Sequence, residues 1–278
     1  MNNKRSLFAV PYVIWMALFV VIPIIIMLVY SLTTAEGGLT AENYTGMGLY
    51  LSVFGRSFWL AILATLVCLL IGYPVSYMMA REGAAFQRVA MALIMLPMWM
   101  NFLLRTYSWM SILENNGLLN QLFRAVGLLD FLGVDYIQMI RTSGAVVLGM
   151  VYNYLPFMIL PIYSVLAKID PSLVEAAQDL GADAAGVFRR VTLPLSLPGV
   201  LSGVTMVFVP SVSTFAISRL LGGGTQMMLG DLIENQFLGG AYNPHLGAAI
   251  SMVMMVIVVV CMVVMNHFGE GEEQAVML

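Results

Sequence analysis

Residues 170–194 read DPSLVEAAQDLGADAAGVFRRVTLP, a polar stretch between two long uncharged runs. Its neighbours are apolar enough to cross a bilayer, so the stretch is a loop between spans, yet its composition is helical. Asp170 can cap a helix whose first residue is Pro171, a position where a missing N–H is no loss. Leu173, Ala176, Ala177 and Leu180 then share one face, with Glu175, Gln178 and Asp179 on the other. Gly181 ends that helix. Asp183 can cap a second one, in which Val187 and Val191 stack four apart and Arg189 and Arg190 occupy the last turn, where the dipole favours cations. Pro194 and Pro198 open the next apolar run. Two short, capped helices in a membrane loop make a compact knob of the kind another protein can grip.

The rest of the chain sets the class. Of 278 residues, 60% are hydrophobic and 10% charged, and the mean hydropathy is +0.91. A soluble domain carries about 25% charged residues, so this is an integral membrane protein. A helix of about 20 apolar residues crosses a hydrocarbon core of roughly 30 Å. On that measure the chain is a single all-α membrane domain over 1–278 with six spans: 8–32, 57–80, 86–107, 142–167, 195–218 and 246–266, the polar loop lying at 170–192. Lys4 and Arg5 precede the first span like a signal sequence, but that run is too long for a cleavable segment and no A-x-A site follows, so it is expected to remain as an anchor. The length leaves no room for a separate soluble domain. Pro194, Pro198 and Pro210 are expected to break the fifth span.

An even number of spans puts both termini on one side, and the basic residues say which. With the N-terminus inside, the inner segments hold Lys4, Arg5, Arg81, Arg88, Lys168, Arg189 and Arg190. The longer outer segments hold Arg56, Arg105, Arg124, Arg141 and Arg219. This excess favours cytoplasmic termini and a cytoplasmic 170–192 loop. On the outer side, Leu118, Leu119, Leu122, Phe123 and Val126 recur at helical spacing, a short amphipathic helix lying along the surface or packed on its own bundle. Gly222–Gly224 marks a flexible turn. His245 and His267, at the two ends of the last apolar run, read as interfacial. Cys68 and Cys261 lie within apolar runs with no Cys or His at ligand spacing, which fits core packing and neither a disulfide nor a metal site.

Several chemistries are excluded. No GxxxxGK[ST] is present, and neither lysine, Lys4 or Lys168, follows a glycine-rich loop, so the chain has no phosphate cradle of its own. No catalytic constellation and no nucleic-acid signature stands out, and the chain is not expected to be an enzyme or to hold a cofactor. The spans carry no Asp or Glu away from their ends, which weighs against an ion-coupled secondary transporter working alone. A scaffold without a conduit is the third reading.

Glu175-Ala176-Ala177, three residues, Gly181, nine residues, then Val191, one residue, Leu193 and Pro194 resembles the EAA signature of ABC-importer permeases, EAA-x3-G-x9-I-x-LP, with valine in place of isoleucine. Further segments are similar, in the same order, to the B-type permeases of spermidine/putrescine importers. These are Leu96-Pro97-Met98-Trp99 with Asn101, Arg105 and Tyr107; Asn115 to Leu119 with Asn120; Val151-Tyr152 with Leu155-Pro156-Phe157; and Leu220-Leu221-Gly222-Gly223 running on to Gln236-Phe237. The resemblance implies a type I ABC importer permease fold and a coupling helix seated in a groove of the cytoplasmic ATPase. Glu175 would anchor that helix, Ala176 and Ala177 would allow close approach, and Gly181 would make the turn. It also implies the partners: a sister permease, two ATPase subunits that bind the ATP and magnesium, and an extracytoplasmic polyamine-binding protein. Thiamine, iron or an amino acid is the alternative cargo.

A conduit for a polycation without mid-membrane carboxylates relies on aromatic faces and on carbonyl or hydroxyl dipoles. Cation–π contacts of about 0.5–2 kcal/mol each are weak enough to let the cargo leave. Trp99, Asn101, Tyr152, Asn153, Tyr154, Ser211, Ser213, Thr214 and Phe215 are the polar or aromatic residues least suited to lipid, and are the candidates for the path. The alternative for each is an interfacial belt or a bond back to its own helix. Asp231 and Glu234 are candidates for an outer mouth that attracts the cation, whereas Arg105 and Arg219 would repel it unless paired or turned away.

Overall fold

The computed structural model describes the backbone of residues 3–276 and the side chains of residues 10–265. The side chains of Lys4, Arg5 and His267, used above for orientation and boundary, lie outside the described residues. Among the described residues the chain is helical without strands, and an isolated bridge pairs Thr33 with Leu39.

α1 (Asn3–Met16), a π-helical turn (Ala17–Val21) and α2 (Ile22–Ser31) form one continuous run. α3 (Glu42–Gly46) and a 3-10 turn lead into α4 (Leu51–Arg81), then come α5 (Ala84–Met95), a 3-10 turn (Leu96–Trp99) and α6 (Phe102–Leu113). The short α7 (Leu118–Ala125) and α8 (Leu128–Leu132) precede the long α9 (Ser143–Leu166). After α9 stand α10 (Pro171–Asp179), α11 (Ala184–Val187), a second π-helical turn (Phe188–Thr192), α12 (Leu193–Ser213), α13 (Ala216–Gly222), α14 (Leu229–Leu238) and α15 (Pro244–Val276). Five helical runs among the described residues are long and apolar enough to span a membrane, and a bent pair brings the number to six.

Two spans differ from the sequence reading. The stretch 86–107 is not one straight helix: the α5 and α6 segments meet at 90°. Pro97 tightens the end of the first into a 3-10 turn, Met100 is extended, and Asn101 accepts the amides of Leu103 and Leu104 at 2.9 and 3.3 Å, restarting the helix in a new direction. Conversely, the prolines of the fifth span do not break it. A single helical run extends over Ala184–Ser213 and stops at Thr214, which is extended, so residues 214–218 fall outside it. The π-helical turn directly before Pro194 explains the continuity, because its wider loop makes room for a ring that would otherwise clash with the carbonyl four residues back. The same device precedes Pro23 in the first run.

The chain divides into two compact units. One comprises the chain up to Ser52 with Leu232–Val259. Here Tyr30 stacks on His245 with centroids 5.1 Å apart, and Asn43 donates to the carbonyls of Ser31 and Thr33. The other comprises Val53–Asp231 and the chain from Val260. It is built around α9, whose buried Met150, Met158 and Ile162 join Leu60 and Cys68 of α4, Val207 of α12 and Ile217 of α13 in the core. Helices in lipid associate by close backbone approach, and α12 lies on α9 through Gly199 and Gly203. A Cβ on Gly199 would stand 2.9 Å from the Pro161 carbonyl, and one on Gly203 2.8 Å from Met158 Sδ. Ser76 of α4 donates to the Ile159 carbonyl at 3.0 Å, closing the other side of α9.

Candidate functional site

The polar loop forms the helix pair that its capping residues demand. Asp170 accepts the Ser172 N–H at 2.9 Å, and that bond holds its carboxyl below the usual carboxylate range. Asp183 accepts the Gly186 N–H at 2.8 Å. Between them Gly181 adopts φ +85°, and nothing lies within 4 Å of where a Cβ would be, so the demand at this position is conformational and not steric. Glu175 and Ala176 are exposed and Ala177 is half-buried. The apolar face of α10 is turned outward: Leu173 is 47% and Leu180 90% exposed. Amphipathic helices with such a face are one of the elements that other proteins seat in an apolar groove.

One local expectation fails here. Arg189 and Arg190 do not sit in a last turn, because α11 runs through the π-helical turn into α12 without ending. Val191 is half-buried in that turn, and Leu193 and Pro194 begin α12 exposed. The knob is therefore continuous with a span. It also touches another: the Phe188 ring packs edge-on against Tyr73 and Tyr77 of α4 at 5.9 and 5.7 Å, and the Arg81 guanidinium stands 4.9 Å over Tyr77. Behind α10 a cavity of about 460 Å³ is lined by Tyr77, Arg81, Ile169, Glu175 and Thr192 among others.

The candidate path residues fall into separate groups. Tyr152 of α9 meets Trp109 edge-on at 5.4 Å and carries the Arg105 guanidinium 6.0 Å over its face. Arg105 is 8% exposed, and its Nε and Nη1 are buried with no hydrogen-bond partner among the described residues. Tyr154 interacts with the hydroxyl of the buried Thr214. Asn153 donates back to the Gly149 carbonyl at 2.8 Å, which leaves its buried Oδ1 without a partner among the described residues. Ser211 and Ser213 bond back to their own helix. Asn101 is a cap, while Trp99 and Phe215 are 80% and 49% exposed. At the candidate mouth, Asp231 is 8% exposed and accepts the Met228 N–H at 3.0 Å near the start of α14, which also carries the half-buried Glu234.

Two features escape the sequence reading. Phe188 looks like one apolar residue in an amphipathic pattern, and its contact with two tyrosines over 100 residues away is a tertiary fact with no local signal. Gly199-Val-Leu-Ser-Gly203 is different: it is a G-x-x-x-G in an apolar run and was readable as a helix contact.

Residues 72–270 match the family model described as binding-protein-dependent transport system inner membrane component. The spermidine/putrescine transport system permease protein PotB of Haemophilus influenzae is 37% identical over 92% of this chain and 91% of its own length. PotB of Escherichia coli is 34% identical over 87% of this chain and 90% of its own length. Among solved structures, a chain of a bacterial ABC transporter involved in the import of the acidic polysaccharide alginate superposes with a TM-score of 0.80 at 16% identity, covering 97% of this chain and 96% of that one. A chain of the inward-facing MetNI methionine ABC transporter gives a TM-score of 0.55 at 19% identity over 84% and 98%. The fold is thus that of type I ABC importer permeases, carried by a multi-pass protein of the bacterial inner membrane. The chain belongs to the family of inner membrane components of binding-protein-dependent transport systems.

Proposed function

We propose that this chain is a permease subunit of a polyamine ABC importer, forming with a sister permease the path for spermidine or putrescine. Two cytoplasmic ATPase subunits would bind ATP and magnesium, and an extracytoplasmic binding protein would deliver the cargo. The observation that carries the reading is the knob at 170–192, a capped helix with its apolar face uncovered and a continuous connection into a span. Seated in an ATPase groove, Leu173 and Leu180 would be covered, with Glu175 anchoring the helix and Ala177 allowing close approach. Closure of the ATPases would then move α11 and α12 as one rod and would pull α4 through Phe188. The termini would be cytoplasmic, as the basic residues favour.

The cargo assignment is supported by the PotB relatives. Tyr152, Trp109 and Tyr154 would supply weak cation–π and hydroxyl contacts, and Trp99, Asn101, Asn153, Ser211, Thr214 and Phe215 remain candidates for the rest of the path. Asp231 and Glu234 would shape the field at the outer end. The test is ATP hydrolysis by the reconstituted complex in nanodiscs against a panel of solutes, each with its binding protein. Stimulation by spermidine or putrescine is expected. Stimulation by thiamine, iron or an amino acid instead would keep the permease and overturn the cargo. Uptake driven by membrane potential without any ATPase would overturn both.

A further inference from the structure

Arg105 and Trp109 stand four residues apart on α6, so they share one face of that helix. Both meet Tyr152 of α9. The Trp109 ring lies edge-on to it with centroids 5.4 Å apart, and the Arg105 guanidinium stands 6.0 Å over its face. Adjoining aromatic rings are the beginning of a cage for an ammonium group, and this one already holds a cation. It holds that cation poorly. Arg105 is buried, and its Nε and Nη1 have no hydrogen-bond partner among the described residues. A buried guanidinium ordinarily makes charge-assisted hydrogen bonds, and a π face is a weaker partner than those. Arg105 belongs to the bent helix pair that makes the sixth span. Ionisable side chains within spans are costly, and they mark the paths that cargo or ions take. The two rings are half-buried, so they are not closed off from the surface as Nε and Nη1 are.

We propose that Arg105 is a resident cation that keeps the place of the cargo. In the empty permease its guanidinium covers the Tyr152 face. An arriving ammonium group of the polyamine takes that face, and the flexible arginine stem swings aside, which frees its N–H groups to meet water. The chemistry selects the solute. A cation on a π face gives way to another cation, and a polyamine brings several charges on one chain. A neutral solute gains nothing comparable from the ring, so the face stays covered. An anion would have to reach Nε and Nη1, which are enclosed. The exchange also keeps the site weak, because every ammonium bound displaces a guanidinium, and the return of Arg105 helps the cargo to leave. The arginine that looks like an obstacle to a polycation is thus a specificity-determining residue for it. This inference rests on the polyamine importer reading.

The experiment measures equilibrium binding of radiolabelled spermidine to the nanodisc complex of this chain, its sister permease and the ATPase, without the binding protein. Arg105→Gln and Arg105→Met vacate the ring, and both are expected to lower the half-saturating spermidine concentration about tenfold. Arg105→Lys returns a cation to the face and should stay within about threefold of wild type. Adding Tyr152→Leu to Arg105→Gln should cancel the gain. A merely structural arginine would not sort these variants by charge. Binding that is equal or undetectable in all of them overturns the inference, as does weaker binding in Arg105→Gln. A complex that assembles only with arginine or lysine at position 105 overturns it too, since the cation then holds the assembly together. A wild-type complex whose ATP hydrolysis does not respond to spermidine-loaded binding protein overturns the polyamine importer reading instead.

Discussion

Gly181 and Asp170 impose different demands on the same short loop. At Gly181 the backbone is left-handed at φ +85° and the space for a side chain is open, so residue types are separated by conformational preference alone. Alanine costs about 1–2 kcal/mol there and a β-branched residue more, while asparagine is tolerated. Gly181→Asn should therefore keep cargo-stimulated ATP hydrolysis and uptake, and Gly181→Val should insert normally but hydrolyse ATP without uptake. Equal uptake by both variants would remove the turn from the coupling mechanism. Asp170 acts through its charge. Its carboxylate accepts the Ser172 amide, and its pKa is lowered by that bond. The cap is therefore fully present above the ordinary carboxylate value of about 3.9 and is lost as pH falls through the lower folded value. At pH 7, amide exchange in α10 should be faster in Asp170→Ala and close to wild type in Asp170→Asn, and a cap without influence on α10 would leave the three alike. Both residues were legible in the sequence because caps and left-handed turns are local chemistry. Asp231 was not, because its burial depends on what packs around α14.

The helices show where local reading stops. Three prolines argued for a broken fifth span, yet the π-helical turn over Phe188–Thr192 absorbs the first, and a continuous rod results. Asn101 carried the opposite signal: asparagine is a favoured N-cap, and here it caps α6 and marks the 90° break that hydropathy alone passes over, whereas Asn153 in the same kind of run stays inside α9. Between helices, Gly199 and Gly203 set how closely α12 approaches α9, and their surroundings differ in softness. At Gly199 a methyl meets the Pro161 carbonyl, a backbone atom, at 2.9 Å, with Val165 Cγ2 at 3.0 Å and Ile162 Cα at 3.1 Å; at Gly203 the nearest atom, at 2.8 Å, is the side-chain Sδ of Met158, and the Met158 carbonyl stands further off at 3.1 Å. Overpacking of this kind costs about 1–3 kcal/mol. Gly199→Ala should thus lower the thermal unfolding midpoint in detergent more than Gly203→Ala does. The reverse order would mean that the two helices part freely and that the rod does not transmit through this contact.

For the molecule as a whole, composition was enough to give an all-helical membrane protein, and the order of charges was enough to suggest which side faces the cytoplasm. The division into two compact units and the meeting of Arg105 with Tyr152 were not legible, since both are made by residues distant in sequence. Sidedness, for which the order of charges argues, can be tested directly. Leu180 is 90% exposed at the tip of the knob, and Phe131 is 86% exposed in the segment assigned to the outer face. Cys68 is buried, and Cys261 lies in an apolar run where a membrane-impermeant maleimide does not reach. The wild-type protein is therefore a silent background for single-cysteine labelling. Leu180→Cys should react in inside-out vesicles and not in right-side-out ones, and Phe131→Cys should do the opposite. If the knob is the docking element, adding the ATPase subunits to inside-out vesicles should protect Leu180→Cys, because the side chain becomes covered when α10 is seated. Phe131→Cys should show no such protection. Labelling of Leu180→Cys from the outside would reverse the orientation and separate the knob from any cytoplasmic partner, whereas correct sidedness without protection would leave the orientation standing and place the ATPase contact elsewhere on the cytoplasmic face.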